Sequence, residues 1–299
     1  MNTSTTVSQY LEEQRGLIDR ELDLLLPHAD TYPRSIHEAM RYSVFAGGKR
    51  LRPILCAEAG RLLGAGEDPS LLKVAAVLEL VHTYSLIHDD LPALDNDDLR
   101  RGKPTCHRAF GEAAAILTGD ALLTLAYELL AEPGICPPEC QLRIIYELAH
   151  ATGTRNGMVA GQVMDLETTN LTVDAGTLEF IHSSKTGAFL CATVRCGAIF
   201  AGGRESDLER LTLYGRKIGL AFQIVDDLLD VLGSSATLGK TAGKDNHQRK
   251  ATYPALFGIE ESRRKAALLI QEACESLEFY GKAAIRLQEL AHFLIERTA

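Results

Sequence analysis

The sequence predicts an all-α protein, built as one large helical bundle, and three observations carry that prediction. Apolar residues recur with a period near 3.6 along almost the whole chain. No alternating strand pattern lasts beyond a few residues. Ala and Leu are plentiful while Pro is scarce, at 10 in 299 residues, a balance that favours helix over sheet. Val7, Leu11, Ile18, Leu22 and Leu25 trace a first stripe that Pro27 stops. A second helix is expected over 35–46, ending at Gly47-Gly48, and a third over 53–64, where Pro53 suits a first turn that has no use for its missing N–H. The pattern resumes over 70–88 and breaks near Pro92. Further helices are expected over 111–131, 138–152, 174–200, 206–232, 262–280 and 282–297. The polar, Gly-rich stretch 233–249 is the longest loop, and its position directly after a helix rich in acids suits a lid better than a linker. No repeat or low-complexity segment divides the chain, so residues 1–299 read as a single domain.

Composition narrows the function. Hydrophobic residues make up 46% and charged residues 24%, with a formal net charge of −9. That charge repels phosphate polymers and argues against nucleic-acid binding. A small anion is still accessible, either where basic residues are concentrated or where metal ions bridge like charges. Seven Cys are scattered along the chain, and only Cys136 and Cys140 are close, with no second pair to complete a zinc site. Free thiols in a reducing cytoplasm are the simplest reading. The polar amino terminus lacks a signal-peptide core, and Glu12, Glu13, Asp19 and Glu21 argue against a transit peptide. No stretch reads as the ~20 apolar residues that cross a bilayer, so no membrane insertion is expected.

Two acidic clusters carry the chemistry. Asp89, Asp90, Asp95, Asp97 and Asp98 place five carboxylates within ten residues, followed by Arg100 and Arg101. At neutral pH these acids repel unless cations screen them. Asp89 and Asp95 would face different sides of an unbroken helix, but Pro92 lets the chain turn and bring Asp95 back to Asp89. Clustered carboxylate oxygens with water sites suit magnesium. In the second cluster, Asp226 and Asp230 are i,i+4 and share a helix face with Asp227 beside them. Ala221, Phe222, Val225 and Leu229 surround this triad, so it is partly buried and needs partners or metal.

Cations accompany both clusters. Gly47-Gly48-Lys49-Arg50-Leu51-Arg52-Pro53 puts charge at a helix start, where free backbone N–H groups also favour anions. Lys49 and Arg52 are i,i+3 neighbours that can clamp one phosphate group. Lys185-Thr186 lies on a helix, and Lys240, Lys244, Arg249 and Lys250 follow the second cluster.

The two acidic motifs, Gly47–Pro53, Arg100-Arg101-Gly102-Lys103-Pro104-Thr105, Lys185-Thr186-Gly187, and Gly239-Lys240 with Lys250-Ala251-Thr252-Tyr253-Pro254 resemble those of the trans-prenyl diphosphate synthases. The spacing between Asp90 and Asp95 is most similar to that of bacterial farnesyl diphosphate synthases. The match runs from about Arg41 to Pro254, with six motifs in order. The resemblance implies the isoprenoid synthase fold, with a cavity between two Asp-rich helices, and a cytoplasmic homodimer. It implies head-to-tail condensation of isopentenyl diphosphate with dimethylallyl or geranyl diphosphate. Three Mg2+ ions, with Mn2+ as a substitute, would bridge the allylic diphosphate to Asp89, Asp95 and Asp226, supported by Asp90, Asp227 and Asp230. Arg100, Lys185, Lys240 and Lys250, with Thr186, Gln223 and Asp227, would bind the same diphosphate, and Lys49, Arg52, His82 and Arg101 would hold isopentenyl diphosphate. Lys185, Thr186 and Gln223 would present dipoles to the allylic cation, and the departing pyrophosphate would take the proton. Tyr84 and Ser85, one turn before Asp89, would set the floor for a fifteen-carbon product, with ten- and twenty-carbon products as alternatives. Residues 233–249 and the carboxyl-terminal tail are candidates to cover the site. The rivals are a terpene cyclase, which has no need for the Lys49/Arg52/Arg101 set, and a non-catalytic helical subunit.

Overall fold

A computed structural model describes residues 6–232 and 251–295. The expected loop 233–249, Lys240 and Lys250 within the basic stretch, and the last residues of the expected 282–297 helix lie outside the described residues. Helix α1 (Val7–Leu25) starts from a reciprocal cap between Thr6 and Gln9, and α2 (Arg34–Val44) and α3 (Leu51–Leu62) follow. Helix α4 (Pro69–Asp89) begins where Asp68 accepts the Ser70 N–H and carries the first acids at its end. It packs against α3 and against α6 (Glu112–Ala131). Between α4 and α6 lie a two-stranded hairpin, Leu99–Arg100 with Lys103–Pro104, and the short α5 (Cys106–Phe110). Helices α7 (Pro138–Thr152) and α8 (Met158–Glu167) come next.

The expected 174–200 helix is α9 (Ala175–His182) and α10 (Ala188–Phe200) joined by a π turn, Ser183–Gly187. There the Ala188 N–H reaches back five residues to the Ser183 carbonyl. Helix α11 (Glu205–Leu232) runs antiparallel to this rod. The rungs between them descend in step: His182 faces Asp227, Thr186 faces Gln223, Gly187 touches Gly219, Cys191 touches Gly215, and Arg195 donates to Thr212. A Cβ on Gly219 would lie 2.8 Å from the Gly187 Cα, so only glycine allows this approach. Helices α12 (Tyr253–Phe257), α13 (Ile259–Ser276) and α14 (Ile285–Ile295) complete the described chain, with α13 laid along α11.

Two further expectations need correcting. The 262–280 and 282–297 boundaries shift because a 3-10 turn, Glu278–Ala284, separates α13 from α14, with Gly281 at φ 53°. Contrary to the expected lack of spanning segments, α4 and α6 are each long and apolar enough to cross a membrane by length and composition. The qualifying window of α4 is 67% buried in the protein and that of α6 only 39%. The apolar surface of α4 is used by neighbouring helices, which is why a core helix passes the same test.

Candidate active site

The first acidic cluster forms as Pro92 requires. The Asp95 N–H donates to the Asp89 carbonyl at 2.9 Å, and the Asp97 N–H to the Asp90 carbonyl at 3.2 Å, so the chain folds back on the end of α4. Asp90 is buried and accepts Arg100 through both oxygens, at 2.6–2.9 Å, with Asp97 3.9 Å from the same guanidinium. Arg100 is therefore turned onto the acidic turn itself. Asp89 instead faces Lys185, whose ammonium lies 3.8 Å from it and 2.8 Å from Asp165.

Lys185 sits in the π turn, and the wider turn is what α8 rests on. A Cβ on Gly161 would come within 2.2 Å of the Lys185 backbone nitrogen, so glycine permits the contact that delivers Asp165 to the lysine. The next residue, Thr186, donates its hydroxyl to Gln223 on α11 at 2.8 Å. Gln223 and Asp226 are i,i+3 and share a face of that helix. Asp226 is half-buried, whereas Asp227 and Asp230 are buried. Asp227 accepts the Tyr253 N–H at 2.9 Å, with His182 Nε2 at 3.5 Å from the same oxygen. Asp230 Oδ2 is buried with no hydrogen-bond partner among the described residues. Among the described residues no three His, Cys, Asp or Glu side chains close on one point as a ready-made metal cage.

The basic set assembles on the other side. Arg50, in the left-handed region at φ 53°, is buried and spent on Asp19, Glu79 and the Val44 carbonyl, which fixes the loop between α2 and α3. That leaves Arg52 pointing inward, with its guanidinium 3.3 Å from His82 Nε2 and 5.3 Å above the Phe189 ring. Burial pulls the Arg52 guanidinium below its ordinary pKa, with the charges of Glu79 and then Asp226 opposing that shift. Burial, then Arg52, Arg101, Arg100 and Arg50, push the His82 imidazole well below its ordinary pKa. The neutral ring accepts from Arg52 at Nε2, so its proton sits on Nδ1. Arg101 donates to the Gly47 carbonyl, and the exposed Lys49 lies over the Phe293 ring of α14 at 5.2 Å.

A cavity of 340 Å³ runs between these groups, lined among others by Arg52, His82, Asp89, Lys185 and Thr186. Tyr84 and Ser85 line it as well, with the Tyr84 ring edge-on to His88 at 5.6 Å. Its outer wall is α8, through Met158, Val159, Gln162, Val163 and Leu166. Sequence reading missed α8 and with it Asp165 and Gln162. Only Gly161 of that helix is buried, and its apolar residues face the cavity and solvent, so the usual stripe is blurred. The polar pair Gln162 and Asp165, three apart on one face, was the available signal.

The chain matches the polyprenyl synthetase family over residues 33–284. It is 44% identical to a geranylgeranyl diphosphate synthase of Cyanophora paradoxa, covering 99% of this chain and 98% of that protein. A crystal structure of an FPP/GFPP synthase from Zymomonas mobilis superposes with a TM-score of 0.86 at 39% identity, covering 97% of this chain and 98% of the other. A geranyltransferase from Helicobacter pylori, solved with magnesium and isoprenyl diphosphate, superposes at 0.84 with 31% identity, over 99% and 98% of the two chains. With a family match across most of its length and relatives of this identity on the same helical frame, the chain belongs to the polyprenyl synthetase family and is a trans-prenyl diphosphate synthase.

Proposed function

We propose that this prenyltransferase condenses isopentenyl diphosphate with dimethylallyl and then geranyl diphosphate, releasing pyrophosphate and farnesyl diphosphate. The observation that carries the reading is the chain of contacts leading from the first acidic cluster, at the cavity wall, to the helix of the second: Asp89 to Lys185 at 3.8 Å, and Thr186 to Gln223 at 2.8 Å, one helical turn from Asp226. The donor set fits magnesium. It is all carboxylate oxygen, it includes the buried Asp230 oxygen, and with no closed cage among the described residues it leaves room for diphosphate oxygens and water as further ligands. Asp89, Asp95 and Asp226 would hold the ions, with Asp90, Asp227 and Asp230 in support. When bound, Mg2+ neutralises the diphosphate and stabilises the charge that builds up on it as the allylic C–O bond breaks.

The side chains then divide the work. Lys185 shifts its ammonium from Asp165 and Asp89 towards the allylic diphosphate, joined by Lys240 and Lys250 from the basic stretch. Arg100 serves the same group by clamping Asp90 and so bracing the acidic turn. Lys49, Arg52 and Arg101 hold isopentenyl diphosphate with positive charge, and the neutral His82 ring joins them as a hydrogen-bond donor through Nδ1. The Thr186 hydroxyl and Gln223 amide, already bonded to each other, present fixed dipoles to the allylic cation at no reorganisation cost. Keeping His82 neutral confines the positive charge to guanidinium and ammonium groups that do not titrate near pH 7. No side chain is needed as a general base, since the departing pyrophosphate is a suitable proton acceptor.

Tyr84 and Ser85 on the cavity wall support a fifteen-carbon product. A twenty-carbon product is the alternative, favoured by the identity to the Cyanophora paradoxa protein. We place the protein in the cytoplasm as a homodimer. Labelled isopentenyl diphosphate, incubated with dimethylallyl or geranyl diphosphate with and without magnesium and followed by chromatographic sizing, tests the proposal. Magnesium-dependent farnesyl diphosphate is expected, and absence of any labelled prenyl product would refute it.

A further inference from the structure

The Thr252-Tyr253-Pro254 motif has no evident task in the reaction and Asp227 only a supporting one, yet the two meet. Asp227 follows Gln223 by one turn on the face of α11 that meets the α9–α10 rod, and it is buried against α9 and α12. Its Oδ2 accepts the Tyr253 N–H at 2.9 Å and lies 3.5 Å from His182 Nε2. The His182 and Tyr253 rings are buried and stacked, with centroids 5.4 Å apart and planes at 28°. Thr252 caps α12 by accepting the Ala255 N–H at 3.3 Å, which holds Tyr253 at the helix start where its N–H needs an outside acceptor. His182 stands three residues before Lys185 at the entry to the π turn, and Asp227 stands beside Asp226. The contact is the end rung of the antiparallel ladder, one turn from the Thr186–Gln223 rung on both helices.

We infer that Asp227 is a positioning residue and not a metal ligand: with His182 and Tyr253 it forms a clasp that fixes the π turn bearing Lys185 and Thr186 against the helix bearing Asp226. The inference rests on the magnesium reading above for what is positioned, but the clasp itself is a property of the protein without metal. It explains why the triad carries an acid whose contacts are a backbone N–H and a histidine. The carboxylate accepts the backbone N–H and lies 3.5 Å from the imidazole nitrogen, and Asn at 227 keeps an acceptor oxygen for Tyr253.

Amide hydrogen exchange of the metal-free protein is the first arm of the test. In Asp227→Ala, exchange in segments 183–187 and 222–228 accelerates about tenfold, while the 89–97 turn keeps its wild-type rate. In Asp227→Asn the rates return close to wild type. Should Asp227→Ala not fold, His182→Phe, which keeps a stacked ring and removes both nitrogens, carries this arm with faster exchange at 183–187. In the second arm, steady-state kinetics at varied magnesium, Asp227→Asn keeps the half-saturating Mg2+ concentration within about twofold of wild type. Asp226→Asn raises it about tenfold or more. Asp227→Ala lowers kcat about a hundredfold with KM for isopentenyl diphosphate unchanged, the signature of misplaced groups on the allylic side. Wild-type exchange at 183–187 and 222–228 in Asp227→Ala would overturn the clasp. A magnesium shift in Asp227→Asn as large as that in Asp226→Asn would show Asp227 to be a ligand. If the wild-type protein made no prenyl product at all, the functional reading would fall while the exchange arm still decided the clasp.

Discussion

Chain-length control offers the sharpest quantitative test of the cavity. Ser85 precedes Asp89 by four residues, about 6 Å along α4 and about 40° around it, so it stands almost directly below the metal-binding acid. Tyr84, five residues back, lies about 7.5 Å down and about 140° around, reaching the cavity from the side with its ring against His88. Ser85→Phe therefore puts an aromatic ring straight into the path of a growing chain, and Tyr84→Ala withdraws one from its side. Excluding a single five-carbon unit forfeits about 4 kcal/mol of burial at ~0.8 kcal/mol per methylene. That is roughly a thousandfold in partition between stopping and extending. Ser85→Phe is expected to stop mainly at ten carbons, and Tyr84→Ala to run to twenty or beyond. The latter removes a buried ring and should cost about 3 kcal/mol of stability, towards the low end for aromatic-to-Ala changes because an open cavity is already there. The assay is reverse-phase separation of dephosphorylated products from isopentenyl and geranyl diphosphate. Identical product distributions in wild type and both variants would refute the wall assignment, and Ser85→Phe alone decides the matter if Tyr84→Ala does not fold.

Three further outcomes are expected. Asp89→Asn and Asp226→Asn each lower kcat by about a hundredfold to a thousandfold and raise the magnesium requirement; loss of activity with no change in magnesium dependence would count against both as ligands. Gly219→Ala pushes a methyl into the Gly187 backbone at 2.8 Å, so melting should show a loss of about 1–3 kcal/mol together with reduced kcat, and an unperturbed variant would deny the close ladder. Burial holds His182 down at about 3, and burial with four guanidiniums holds His82 well below its usual value, whereas both would titrate near 6.5 in the unfolded chain. The unfolded state therefore binds protons that the native state refuses, so stability is full above pH 6.5 and is lost as pH falls from there towards 3. The slope is about 1.4 kcal/mol per pH unit for each histidine. Denaturant melts between pH 5 and 6.5 should show a shallower slope in His182→Phe than in wild type, and equal slopes would contradict the assignment.

The sequence exposed the helices wherever one face is buried and the other wet, as in α1 and α7, because burial alone imposes the 3.6-residue stripe. It also exposed the return of Asp95 to Asp89, since Pro92 leaves the chain little choice. It could not expose α8, whose apolar residues face a cavity and solvent instead of the core. Nor could it expose the π turn, because Ser183–Gly187 differs from helix only in which carbonyl an amide selects, a choice made by packing against Gly161 and Gly219. The partners of Asp227 were hidden for a related reason. Spacing placed it beside Asp226 and one turn from Gln223, but His182 and Tyr253, which meet it there, arrive from 45 residues before and 26 residues after it. The Asp90–Arg100 pairing was equally out of reach, because it is made by the hairpin that folds the chain back.

The five-residue hydrogen bond at Ser183–Gly187 makes the rod containing α9 and α10 one residue longer than a regular helix would need between its two ends. Deleting a single residue there would give the backbone a more ordinary geometry, and the protein would be worse for it. Everything on one side of the deletion would rotate by about 100° relative to the other. Either His182 would swing off Asp227, or Arg195 would leave Thr212. The irregularity acts as a phase adjuster, letting one rod mesh with α11 along its whole length while a lysine at its middle still looks into the cavity.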